Sequence, residues 1–331
     1  MRSVAAVKFR TEIEIKPFGR KISYGSRILA VGSCFADNIA AALGSAKFNI
    51  TANPAGVMFN PDSIARTLRM FEAGCTICES DLAESGERFF DYRFHGSFAA
   101  RTAAEALAKM NAAVKDGQRS LNESDTVIIT FGTAWVYILN STGEVAANCH
   151  KQPSSLFTRK RLSVNDITAL FTPLLEGTLK EKNVIFTVSP VRHIGDGFDE
   201  NFLSKATLKL AVAELVEKFD NATYFPAYEI MNDDLRDYRF YADDLVHPSA
   251  QAVTYIREKF FAAALDDSTL ALLPQVEKIV AAANHRITDA GAATARQFAS
   301  TMLTKIAELE KSPAAPDLSS ERSHFERLAS R

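Results

Sequence analysis

Ser33 and Cys34 are two nucleophile-capable side chains at a position where an α/β enzyme presents a reactive group. They follow the apolar, strand-like run Arg27-Ile28-Leu29-Ala30-Val31, which stops at Gly32, and a helical pattern begins just after them. A strand, a glycine and a helix start place a side chain at the carboxyl end of the strand. Such a group needs a base, and the base needs an orienting partner. Of the six histidines, His247 stands out within Asp243-Asp244-Leu245-Val246-His247-Pro248-Ser249. Asp244, three residues earlier, can hold the imidazole tautomer from the same loop, and Pro248 opens the next helix. A developing oxyanion needs backbone N–H groups brought close, and glycine permits that approach. Gly56, in the irregular Asn53-Pro54-Ala55-Gly56 loop, and Gly132, ending the strongest strand, are the candidates. The Asn53 side chain can add a donor.

Other chemistry-bearing residues carry less. Cys75-Thr76-Ile77-Cys78 is a lone Cys-x-x-Cys without the second pair a zinc site requires. Cys149-His150 and the strand-ending Arg192-His193 can line the cleft, and Arg192 or His193 can orient a substrate carbonyl or sugar hydroxyl. The aspartates 233, 234, 237, 243 and 244 are interleaved with Arg236 and Arg239, which favours a salt-bridged loop over a cation site. No Gly-x-Gly-x-x-Gly, P-loop or Gly-x-Ser-x-Gly elbow occurs, so neither a cofactor nor a metal is expected.

The elements that must position these residues alternate. Buried strands are predicted over 27–31, 125–131 and 183–188, with a short one at 223–225. Helices are predicted over 37–43 (stopped by Gly44), 61–71 (capped by Asn60), 101–115, 164–175 (capped by Ser163), 200–219 and 248–265. Residues 87–94 read as a short strand or half a hairpin, 136–147 as a hairpin excursion, and Phe9 to Pro17 as an edge strand or extended arm. This order argues for a doubly wound parallel sheet with helices on both faces, spanning residues 1–266. From 267 to 331 the pattern is helical, with a polar and poorly ordered tail from Lys311.

Composition narrows the class. The chain has 331 residues, is 47% hydrophobic and has a formal net charge of −2, which suits a large globular core. Scattered basic residues argue against a nucleic-acid partner, and the lack of a long apolar run argues against a membrane span. Four cysteines and no apolar leader at the start point to a reducing cytoplasm.

Gly32-Ser33-Cys34-Phe35-Ala36 resembles the signature from which the GSCFA domain family takes its name. Asn53-Pro54-Ala55-Gly56 with Asn60-Pro61 is similar to the family's Asn-Pro-Phe-Gly loop, with Ala55 in place of Phe. Residues 131–137, 148–151, 187–193, 237–241 and 244–248 resemble further family blocks, so the likeness covers roughly Phe9 to Leu265. The family resembles a branch of the SGNH (GDSL-type) hydrolases. That likeness implies a flavodoxin-like α/β/α fold and an ester-hydrolase or acyltransferase site working through an acyl-enzyme. On this sequence Cys34 matches the nucleophile, Gly56 and Gly132 the oxyanion glycines, and Asp244 and His247 the final Asp-x-x-His. Ala134 stands where an asparagine donor is usual, which leaves Asn53 or Thr133 to replace it. Register favours Cys34, whose thiol at a helix N-terminus should ionise easily. Ser33 is the alternative, with Cys34 then packed inward. The substrate implied is a small-molecule or carbohydrate ester, and hydrolysis competes with transfer of an acetyl-like group. A non-catalytic binding module on the same fold is the remaining reading.

Overall fold

The computed structural model describes residues 10–285 and 293–330. In chain order the elements are β1 (Arg27–Gly32), α1 (Cys34–Ser45), β2 (Asn49–Ala52), α2 (Pro61–Ala73), β3 (Ala83–Ser85), β4 (Arg88–Phe90) and α3 (Ala103–Glu123). Then come β5 (Thr126–Phe131), β6 (Trp135–Leu139), β7 (Val145–Ala146), β8 (Phe157–Arg161), α4 (Val164–Glu176), β9 (Asn183–Val188), α5 (Phe198–Lys218) and β10 (Ala222–Phe225). The short α6 (Ala227–Glu229) leads to α7 (Ala250–Ala264), α8 (Asp267–Asn284), α9 (Ala293–Leu309) and α10 (Ser319–Ala329).

β1, β2, β5, β9 and β10 form one parallel sheet in the order β10-β9-β5-β1-β2. Counted along the chain, this is the 2-1-3-4-5 order of a flavodoxin-like sheet, and its direction reverses between β1 and β5. Alternating side chains of β1 feed two cores. Ile28 and Ala30 pack with α1, α7 and the C-terminal helices, whereas Leu29 and Val31 pack with α2, α3, α4 and α5. The three-layer α/β architecture is thus the one the sequence pattern predicts. β3–β4 and β6–β7 are the two hairpins, and β8 adds a third antiparallel strand on β6.

Several boundaries move. α1 starts at Cys34 rather than Asp37 and runs past Gly44, which makes Ser33 its N-cap. α3 continues through Gly117, where the Phe71 ring occupies the space of a Cβ. Residues 10–17 form no strand; Phe9 lies outside the described residues. The stretch is pinned instead by Ile13 N–H donating to Asp234 Oδ2 at 3.4 Å. The tail is not loose: Leu318, Phe325 and Leu328 anchor α10 in the same core as α8 and α9. Its net polarity hides an apolar face with helical spacing. Asn60 and Ser163 cap α2 and α4 as predicted.

Candidate active site

The carboxyl ends of β1 and β5 meet at the point where the strand order reverses, and the Gly32 turn lies there. Gly32 has φ +138°, and a Cβ on it would stand 2.2 Å from the Thr130 carbonyl oxygen, so only glycine fits. Its N–H donates to Asn53 Oδ1 at 2.8 Å, while Asn53 Nδ2 donates to Asp37 Oδ1 at 2.7 Å. One amide therefore ties β1, the loop after β2 and the first turn of α1. Ser33 N–H donates to Thr130 O at 3.1 Å. The Ser33 side chain is turned inward, 1% exposed, with a hydroxyl that has no partner. Cys34, the first helical residue, is partly exposed. Of the two candidates, the thiol is the one that solvent reaches.

That thiol does not ionise as easily as its place in the sequence suggests. Burial pushes its pKa up, and the Asp37 carboxylate adds to this. Smaller opposing effects come from the N–H of Cys34, the Lys205 ammonium and the N–H of Phe35.

Most of the predicted oxyanion donors are already engaged. Gly56 N–H donates to Asn53 O at 2.7 Å, and its φ of +88° and contact with His95 make it a packing glycine. Gly132 N–H and Thr133 N–H both donate to Phe59 O, at 2.8 and 2.9 Å. The Asn53 amide is held by Asp37, and the Thr133 hydroxyl pairs with Ser204 Oγ at 3.1 Å. The physical reason is common to all four: each closes a loop against the strand ends, and a buried N–H must be paired. What faces the thiol is the backbone of Cys34 and Phe35 in the open first turn of α1.

His247 and Asp244 form the expected pair. His247 Nδ1 lies 2.7 Å from Asp244 Oδ2. Asp244 Oδ1 accepts from the backbone N–H of Val246 at 2.9 Å and of His247 at 3.0 Å. Those two N–H bonds and the imidazole hold the Asp244 carboxyl down at about 2. Leu245, at φ +56°, makes the tight turn that lets the carboxylate reach back. Arg192 N–H donates to Val246 O at 3.2 Å, and its guanidinium packs 3.8 Å from the Tyr241 ring centroid. Arg192 thus braces the His247 loop, which leaves His193 as the one of that pair facing the cleft.

His193 Nε2 is buried without a partner, and burial, Lys205 and His247 push the imidazole down to about 4, keeping it neutral. It lines a cavity of about 360 Å³ with Phe59, Asn60, Trp135, Asn148 and Cys149. His150 is elsewhere engaged, stacked on Phe90 and bonded through Nε2 to Asp91 O at 3.1 Å. Cys75 and Cys78 are exposed free thiols. Asp233 and Asp237 pair with Arg236 and Arg239, as the interleaving predicts. Asp234 is instead buried beside Tyr255 and Lys259.

The sequence reading placed the helix of α5, over 200–219, but missed the polar residues on its buried face. Asn201, Ser204, Lys205 and Leu208 are all buried on one helical face. Asn201 Oδ1 accepts from His193 N–H at 2.9 Å, and Ser204 Oγ accepts from Ala134 N–H at 2.8 Å. Lys205 Nζ donates to Gly132 O and Ser189 O at 2.6 and 2.7 Å. Polar residues standing at i, i+3 and i+4 on the apolar face of a helix were the available signal.

Comparison with known families gives two matches. The model of the GSCFA family matches residues 27–260, and that of the GSCFA domain protein, C-terminal domain, matches residues 276–330. The comparison with curated proteins returns no match. Among the described residues no helix is long and apolar enough to cross a membrane.

Proposed function

The chain belongs to the GSCFA family, and we propose that it is an SGNH-like enzyme of acyl esters, with Cys34 as nucleophile. His247 takes the thiol proton as sulfur attacks the ester carbonyl. The N–H groups of Cys34 and Phe35 receive the oxyanion at the positive end of α1. The tetrahedral intermediate collapses to an acyl thioester, and His247 returns the proton to the leaving alcohol. An incoming hydroxyl then repeats the steps in reverse, with His247 again as base. Asp244 fixes the tautomer that leaves Nε2 to do this work.

The observation that carries this reading is the Asp244–His247 pair. Its 2.7 Å contact and the two backbone bonds on the other carboxylate oxygen pre-set the imidazole, as an orienting aspartate must. The 2-1-3-4-5 sheet, with Cys34 at the reversal point, supports it. Transfer to a carbohydrate hydroxyl, rather than to water, is the second reading. The 360 Å³ cavity supports it: His193 lines it, though Cys34 and His247 do not, and its aromatic and amide walls suit a polar acceptor. A catalytic thiol fits a reducing compartment such as the cytoplasm.

The test is acid-quenched turnover of p-nitrophenyl acetate followed by peptide mass mapping. An acetyl adduct on Cys34 is the expected result. An adduct on Ser33, or turnover that leaves neither residue acylated, overturns the assignment.

A further inference from the structure

The acyl-transfer scheme makes no use of Lys205, yet an ammonium is costly to bury. Lys205 is 1% exposed. Its Nζ bonds to two carbonyls, at Gly132 and Ser189, just beyond the carboxyl ends of β5 and β9. The Tyr228 ring centroid lies 5.9 Å from Nζ. No carboxylate is paired with it among the described residues. Desolvating an ammonium costs several kcal/mol unless charge and hydrogen bonds compensate. Two carbonyl dipoles supply the hydrogen bonds, and the counter-charge has to come from elsewhere.

Three titratable groups face Lys205 from the elements around it: Cys34 of α1, His193 of the β9–α5 loop and Tyr228 of α6. His193 is held neutral, and burial pushes the Tyr228 phenol up, so neither supplies a negative charge near neutrality. Cys34 is the group whose ionised form does, and its turn lies against the lysine's partner: a Cβ on Gly132 would stand 3.2 Å from Ser33 Cβ, and Gly132 O accepts from Lys205. Asp37 and burial oppose that thiolate, while Lys205 and the α1 backbone favour it.

We propose that Lys205 is the fixed counter-charge of Cys34, a positioning residue that stabilises the thiolate as His247 draws the proton off, while tying together the ends of β5 and β9. The inference rests on Cys34 being the reactive thiol, and it needs no knowledge of the substrate. The coupling is reciprocal. Burial pushes Lys205 down, to about 7, against the pull of Cys34, whose thiolate raises the lysine's proton affinity.

Iodoacetamide alkylation of Cys34, followed on its own peptide by mass spectrometry from pH 5.5 to 10, tests this in the full-length protein. Lys205→Met removes charge and hydrogen bonds together. Lys205→Gln keeps an N–H donor without the charge, and Lys205→Arg keeps the charge. Met and Gln should shift the alkylation midpoint upward by about one pH unit, slowing the reaction about tenfold at pH 7.5. Arg should stay within about threefold of the parent. A midpoint unchanged in Met or Gln, alongside a lowered melting temperature, would mean that Lys205 is only a tether. Turnover that survives Cys34→Ala would overturn the proposed function and leave this alkylation result standing.

Discussion

The Gly32–Cys34 side of the candidate site is held by bonds between residues far apart in the chain, whereas the Asp244–His247 pair closes within one short loop, which Arg192 braces from outside. Gly32 bonds to Asn53, 21 residues away, and Lys205 to Gly132, 73 residues away. His247 bonds to Asp244, three residues away. Burial follows the same division. Ser33, Gly132 and Lys205 are enclosed, whereas the Asp244 and His247 side chains are each 49% exposed. The contrast fits the work proposed for each side. A nucleophile and its surrounding charges gain from a dry, fixed setting, whereas a proton carrier must meet leaving groups and incoming hydroxyls.

If the enclosed side carries the covalent step, Cys34→Ala should lower kcat/KM for an activated acetate ester by about a thousandfold or more. Ser33→Ala should change it less than about tenfold, since that hydroxyl is shut away. Comparable losses at both positions, read by steady-state kinetics, would erase the distinction between them. On the open side, His247→Gln should lower kcat about a hundredfold to a thousandfold, with Asp244→Asn close behind. Because Asp244 titrates at about 2, the rate profile should show no acid limb from it above pH 4. A limb near pH 4.5 that vanishes in Asp244→Asn would break this part of the comparison.

Stability should divide in the same way. Gly32→Ala forces a Cβ onto Thr130 O and should cost about 4 kcal/mol in urea denaturation. Gly143 also has positive φ, +72°, but open space around it, so Gly143→Ala should cost only about 1 kcal/mol. A smaller, pH-dependent effect belongs to His193. Its imidazole is pushed down to about 4, so the unfolded chain takes up a proton below pH 6.5 that the folded protein refuses. Its contribution is complete above pH 6.5 and is lost as pH falls toward 4, by roughly 3 kcal/mol in total. His193→Leu should flatten the melting-temperature profile across that window, and an unchanged slope would show that His193 is not the cause.

Much of the sheet was legible because buried parallel strands announce themselves. Thr126 to Phe131 and Val184 to Val188 are apolar or β-branched throughout, and both strands are buried at every position. β8 was missed because Phe157-Thr-Arg-Lys-Arg161 is basic and largely exposed. The tail was misread because α10 and its N-cap hide three apolar anchors among charges, and these are buried only in the core that α8 and α9 share.

The sequence by itself determined the strand-glycine turn ahead of Ser33 and Cys34 and the Asp-x-x-His pair, because both depend on neighbours along the chain. Gly32 must be glycine at its own φ, and Asp244 reaches His247 through one tight turn. Only the tertiary structure decided that the Cys34 thiol, not the Ser33 hydroxyl, opens to solvent. It also decided that Gly56, Gly132 and Asn53 have spent their donors, and that a lysine from α5 arrives beside the thiol. Solvent exposure, free hydrogen-bonding capacity and local charge are set by whatever segments converge on a point. In this protein those segments lie far apart in the chain, Gly132 and Lys205 by 73 residues and Cys34 and Lys205 by more, beyond the reach of any local pattern.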